Sequence, residues 1–245
     1  MVSQTEKDQY EQNPVREIDW RLFYRDWRVK QGQHVTCIGP NGSGKTTLMC
    51  WLLAKQPRVE MFGTKREDPF YDELIRRGWT RVKRWPRKIE DDSKGRRRIL
   101  LWVPTVTPSA VAGTRDIFKE ALDAIAKDRT PSTVYIDELM FASSPKWLDL
   151  GPHFELGWQQ WRSSKISLFV SAQRSSQIPL LAYDQVEWIF VARENDLRNA
   201  DRIGEMAGLD RFQVRDIVRR LERYEWLGIN VREGQLVTFT PDKIV

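Results

Sequence analysis

In 245 residues there are only two cysteines, Cys37 and Cys50, and two histidines, His34 and His153. Their spacings match no zinc or redox motif, which argues against a disulfide scaffold and a His/Cys metal centre. Both cysteines stand among apolar neighbours and are expected to be reduced core residues. No apolar run approaches the ~18 residues of a membrane span. The best such stretch, Ile99 to Val103, has the length of a strand. The opening MVSQTEKDQYEQN is polar and carries acids, unlike a signal or transit peptide. These absences predict a soluble protein of the cytoplasm without a transmembrane segment of its own. Internal repeats and low-complexity linkers are missing too.

What is present is ordinary for a globular chain: 40% apolar and 30% charged residues. At ~150 residues per domain this length allows one large domain or two small ones. It suffices to bury roughly 70–75% of the unfolded surface. Forty basic side chains against thirty-four acidic ones leave a net charge of +6. That suits a polyanionic partner without assigning one.

Along the chain, residues 1–17 read as a polar arm and 18–245 as one domain. His34 to Ile38 is a β-branched run that reads as a strand, and Leu48 to Ala54 has helical spacing. Further strands are predicted at 58–62, 99–103, 133–136, 166–170 and 186–191. Helices are predicted at 69–77, 114–127, 154–161, 197–207 and 211–223. A turn at Glu233-Gly234 closes a C-terminal hairpin. Strands alternating with helices predict an α/β domain with a mostly parallel sheet covered on both faces.

Between the first strand and its helix lies GPNGSGKTT. Gly39, Gly44, Lys45 and Thr46 satisfy G-x-x-x-x-G-K-[ST], and a chance match in a chain this long is on the order of one per cent. The spacing has a physical logic. Glycines let successive N–H groups turn inward as an anion nest, and the helix N-terminus adds positive potential. Gly39, Pro40, Asn41, Gly42, Ser43, Gly44, Lys45, Thr46 and Thr47 are therefore the expected nucleotide-binding residues. Lys45 is expected on the β- and γ-phosphates, and the Thr46 hydroxyl on Mg²⁺.

Downstream, the apolar strand Val134-Tyr135-Ile136 ends in Asp137 and Glu138. Carboxylates at the carboxyl end of a buried strand fit a nucleotide crevice. Asp137 is expected at Mg²⁺ and Glu138 as general base for an attacking water. One strand later, ISLFVSAQR ends in Gln173, placed to sense the γ-phosphate.

Together these motifs resemble the FtsK–HerA superfamily of ATPases. GPNGSGKTTL, YIDE and WRSSKISLFVSAQR carry the resemblance, and the tail LERYEWLGINVREGQLVTFTP is similar to the closing strand pair of HerA-like and packaging ATPases. The resemblance implies a RecA-like P-loop domain using ATP and Mg²⁺. It also implies a homo-oligomeric ring, a hexamer, with double-stranded DNA in its pore. Arg162, eleven residues before Gln173, stands where FtsK-like motors carry a finger that reaches a neighbouring subunit's ATP. Trp161 and two serines replace the usual small residues there, and Arg174 and Arg193 are the alternatives. A motor domain without further modules is most similar to the genome-packaging ATPases of tailless, internal-membrane viruses. That implies a capsid vertex or membrane protein as docking partner, and a place in the host cytoplasm or virion. A conjugative or plasmid DNA-transfer ATPase of the same superfamily is a rival, and so is a non-translocating switch for protein assembly or secretion. A transporter ATPase is the weaker rival: residues 108–132 lack its Ser-Gly-Gly signature, and Gln173 stands where its switch histidine would be.

Between Arg76 and Arg98 eleven basic side chains face three acidic ones, with Trp79 and Trp85 interleaved. This basic insertion reads equally as a DNA-tracking loop and as a solvated hairpin.

Overall fold

The computed structural model describes residues 13–242. Its centre is one ten-stranded sheet. In chain order the strands are β1 (Val15–Glu17), β2 (His34–Ile38), β3 (Arg58–Gly63), β4 (Thr80–Val82), β5 (Arg97–Trp102), β6 (Ser132–Ile136), β7 (Ile166–Ala172), β8 (Val186–Ala192), β9 (Trp226–Asn230) and β10 (Gln235–Phe239). Their spatial order is β1-β10-β9-β8-β2-β7-β6-β3-β5-β4. The run from β8 to β4 is parallel, and β9 is antiparallel to both β8 and β10. The central strands are buried along their whole length, as expected of parallel strands covered on both sides.

The helices are α1 (Trp20–Asp26), α2 (Lys45–Ala54), α3 (Pro69–Arg76), α4 (Ala110–Asp128), α5 (Leu139–Ser143), α6 (Gly151–Leu156), α7 (Leu197–Ala207) and α8 (Arg211–Arg220). Side-chain alternation along the strands divides the core in two. Val35, Cys37, Met61, Tyr135 and Phe169 pack toward α1, α2 and α3. Ile38, Phe62, Val134, Ile136 and Val170 pack toward α4, α6, α7 and α8. Cys37 is buried and Cys50 half-buried, both as free thiols; burial pushes both up and keeps them protonated.

The α/β class, the parallel sheet and the C-terminal hairpin agree with the reading of the sequence. The differences are local. The arm expected over 1–17 lies outside the described residues up to position 12, and Val15–Glu17 is a strand. It pairs in parallel with β10, whose edge would otherwise leave its ladder groups unpaired. Trp20–Asp26 is a helix capped by Asp19, whose side chain accepts from the N–H groups of Arg21 and Leu22. Its aromatics clamp the hairpin: Phe23 stacks on Phe239 at 4.3 Å. The expected helix 154–161 begins at Gly151 and becomes a π-turn from Gly157. The last helix stops at Arg220 rather than 223. Among the described residues no helix is long and apolar enough to cross a membrane.

The basic stretch is not a uniform surface loop. Arg97 is 8% exposed and opens a core strand, while Arg98 donates to the carbonyls of Pro57 and Gln56. Arg76 pairs with Glu73, Arg96 with Asp92, and Arg81 lies 4.0 Å over the Trp102 ring.

Candidate functional site

The glycine loop, the Asp137–Glu138 pair and Gln173 meet at the carboxyl ends of β2, β6 and β7. The loop after β2 turns on Gly42 and Gly44, whose φ values of 76° and 91° suit glycine. A Cβ on Gly39 would lie 2.7 Å from Ser43 Oγ and 2.8 Å from Ala192 Cβ, so close packing excludes a side chain there. The Gly39 N–H donates to Ala172 C=O at 3.0 Å, tying the loop to the end of β7. The Ser43 N–H donates to Pro40 C=O at 3.2 Å. Asn41, Gly42, Gly44, Lys45, Thr46 and Thr47 border a crevice of about 430 Å³. Lys45 is 8% exposed and donates to the carbonyls of Gly39 at 2.7 Å and Pro40 at 3.0 Å. Burial lowers its ammonium from the ordinary range.

Asp137 is nearly buried and receives three donors. Thr46 Oγ1 donates to its Oδ1 at 3.0 Å and the Tyr135 hydroxyl to the same oxygen at 2.8 Å. Lys65 Nζ sits 2.8 Å from Oδ2 and 2.9 Å from Asp68 Oδ2. Burial acts to lower Lys65, but attraction to Asp137 and Asp68 outweighs it and raises the ammonium. Tyr135 is pushed up chiefly by burial, then by the Asp137 charge, and remains a donor.

Glu138 follows on the same strand end. Gln173 Nε2 donates to its Oε2 at 2.8 Å. Its other oxygen, Oε1, is buried without a partner among the described residues. Gln177 holds this corner: its Oε1 accepts from the Gln173 N–H at 2.9 Å and the Arg174 N–H at 3.2 Å.

The donor set fits a magnesium nucleotide. Thr46 and Asp137 offer hard oxygens side by side, and Mg²⁺ characteristically takes few protein ligands beside phosphates and water. Among the described residues no cluster of three His, Cys, Asp or Glu suggests a dedicated metal cage. The buried, unpartnered Glu138 Oε1 and Ser43 Oγ both belong to this corner.

The arginines divide. Arg174 and Arg193 are exposed at the carboxyl end of the sheet, after β7 and β8. Arg162 is exposed at the opposite end, four residues before β7 begins. The seven-residue strand between it and the crevice spans about 23 Å, beyond reach within one chain. A larger cavity of about 610 Å³ lies at that amino end, near Arg129, Pro131, Gln160 and Lys165. It has neither the glycine loop nor the paired acids.

Lys65, Asp68, Gln177 and Tyr224 entered the site without being expected. Tyr135 had a sequence signal: two residues before Asp137, it projects to the same side of the strand. Lys65 and Asp68 had none, since β3 is only brought beside β6 by the sheet order.

No protein-family model matches the sequence. No curated protein matches it either. Solved structures do. B204, the DNA-packaging ATPase of Sulfolobus turreted icosahedral virus, superposes with a TM-score of 0.60 at 18% identity, covering 87% of this chain and 100% of that one. VirB4 of Thermoanaerobacter pseudethanolicus gives 0.64 at 11% identity over 86% of this chain and 89% of that one. The pCW3 conjugation coupling protein TcpA gives 0.52 at 15% identity, with 86% and 60% covered. At such identities the likeness speaks for the fold alone: the chain shares the α/β P-loop fold of these ATPases, built on a mostly parallel sheet, in line with the resemblance drawn from the motifs.

Proposed function

We propose that this chain is a Mg²⁺-dependent ATPase that moves double-stranded DNA as a homo-oligomeric ring, a hexamer, in viral genome packaging. One observation carries the ATPase reading. Lys45 and Thr46, Asp137, and the Glu138–Gln173 pair converge on one crevice from three strand ends.

In this reading Gly39 to Thr47 hold the triphosphate of ATP, with Lys45 on the β- and γ-phosphates. Thr46 and Asp137 would hold Mg²⁺, which when bound neutralises charge on the β- and γ-oxygens. Glu138 Oε1 takes a proton from water as its oxygen attacks the γ-phosphorus. The bond to the β–γ bridging oxygen breaks, and ADP and phosphate leave. Gln173, bonded to Glu138 Oε2, holds the carboxylate and is freed to respond when the γ-phosphate departs. Arg162 stands too far from its own crevice, which supports a role at a neighbouring subunit's ATP. The exposed Lys83, Arg84 and Arg87 support contacts to DNA phosphates without sequence readout.

Packaging draws support from the likeness to B204, which matches over its full length. The work would be done in the host cytoplasm at a capsid vertex or membrane docking protein. The conjugation coupling protein TcpA shares the fold and keeps a DNA-transfer motor as the second reading.

Steady-state ATP hydrolysis with and without long linear duplex DNA tests the proposal. Several-fold stimulation that fades with salt is expected. Glu138→Gln should bind ATP while losing about 10²- to 10⁴-fold in turnover. Arg162→Ala should lose on the order of 10³-fold, and mixing it with Glu138→Gln subunits should restore part of the rate. DNA-indifferent hydrolysis by the assembled protein would turn the reading toward a switch for protein assembly or secretion.

A further inference from the structure

Tyr224 is an aromatic side chain with no packing duty to explain its position. It is 43% exposed, and its φ of 69° is a left-handed conformation that non-glycine residues seldom adopt. Such strain persists where surroundings enforce it, and it gathers at ligand sites. Here the turn is pinned on both sides. The Glu225 N–H donates to Glu222 C=O at 3.2 Å, and the Glu222 N–H donates to the Glu225 carboxylate at 2.8 Å.

The ring points back to the glycine loop. A Cβ built on Gly44 would stand 3.4 Å from Tyr224 Cδ1, and the ring borders the same crevice as Gly44 to Thr47. Sheet order fixes which end of that crevice it occupies. β2 lies between β7 and β8. Asp137, Glu138 and Gln173 follow β6 and β7, on one flank of the loop. β9 runs antiparallel to β8 with Trp226 opposite Ala192, so Tyr224 is delivered to the carboxyl edge on the other flank. A triphosphate with its γ-phosphate at Glu138 must direct its nucleoside toward Tyr224. The Arg223 guanidinium, 4.8 Å from the ring centroid, adds a cation–π contact that steadies the ring.

We propose that Tyr224 is the platform on which the base of the bound nucleotide stacks, so that the site holds nucleoside triphosphates in preference to bare polyphosphate. The proposal rests on the reading of the loop as a triphosphate site and adds the group that recognises the nucleoside. Stacking reads the π-face that every base presents and is sequence-tolerant in nucleic-acid binders. ATP and GTP should therefore bind with similar affinity.

Calorimetric titration of the full chain with ATP and, separately, with inorganic tripolyphosphate, both with Mg²⁺, tests it. Tyr224→Gly removes the ring at a φ that glycine adopts freely, so folding is not at risk from the backbone. It should weaken ATP about 10- to 100-fold and leave tripolyphosphate unchanged, while Tyr224→Trp keeps ATP affinity. Unchanged ATP affinity in Tyr224→Gly overturns the proposal. Equal losses for both ligands also overturn it, because the ring would then act through the loop. A wild-type chain that binds neither ligand would instead sink the triphosphate reading, and the platform with it.

Discussion

Strand β3 carries a charged pair toward each end, and the two could hardly differ more. In its amino half Glu60, 1% exposed, meets Arg97 of β5, with the Arg97 Nε 2.8 Å from Glu60 Oε1. Just past its carboxyl end Lys65, 47% exposed along its side chain, bridges Asp137 and Asp68. The first pair is sealed between neighbouring strands, whereas the second lines a crevice wide enough for a ligand. A buried charge therefore does not by itself mark a functional site here. The carboxyl ends of this parallel sheet open on the crevice, where charges are within reach of a ligand, whereas the Glu60–Arg97 pair is shut between strands.

The sharpest way to break this contrast is to cut the sealed pair. Arg97→Leu leaves Glu60 buried and uncompensated and should cost about 3–5 kcal/mol, read by urea denaturation. The double variant Glu60→Leu/Arg97→Leu should recover much of the loss, because both charges then go together. A single variant costing under about 1 kcal/mol would mean that water reaches the pair, and the two ends of the strand would no longer differ in kind.

His34, at the amino end of β2, offers a subtler test of the same seal. It is buried, its Nδ1 accepts the Leu168 N–H at 2.9 Å, and burial lowers it to about 4, aided by the Arg162 charge. The folded protein thus keeps His34 neutral while the unfolded chain protonates near 6.5. Stability is full above pH 6.5 and falls as pH drops toward 4, by up to about 1.4 kcal/mol per pH unit. His34→Asn keeps an acceptor for Leu168 without titrating, so its stability should fall less steeply over that window. Identical slopes in chemical denaturation between pH 6.5 and 4 would show that His34 protonates in place.

The same contrast explains what could be read from sequence. The glycine loop, the acids after β6 and Gln173 after β7 are local patterns, each a strand followed by a polar residue, and the fold brings them together. Apolar runs such as Val134 to Ile136 likewise announced their strands. Lys65 and Asp68 carry no such pattern, since their meaning comes from β3 lying beside β6, a pairing between strands some seventy residues apart. Arg97 misled in the opposite direction. Composition counted it with its basic neighbours, whereas the strand Arg97–Trp102 turns it inward to an acid 37 residues upstream. Tyr224 fell just past a helix expected to end at 223, and the helix ends three residues earlier, at Arg220, leaving room for the turn that carries the ring.

Lys65 closes the comparison with the smallest expected effect. Its two ion pairs are short, but nearly half of the side chain faces solvent, where screening and lost side-chain entropy leave little net gain. Asp137 also keeps Thr46 and Tyr135 as donors, so removing the ammonium does not strand a buried carboxylate. The backbone role of the residue, its carbonyl accepting the Trp102 indole N–H at 2.7 Å, survives any side-chain change. Lys65→Ala should therefore shift the urea midpoint by an amount equivalent to less than about 1 kcal/mol. A loss approaching that of Arg97→Leu would show that the crevice is as closed as the far end of the strand, and that its charges are structural too.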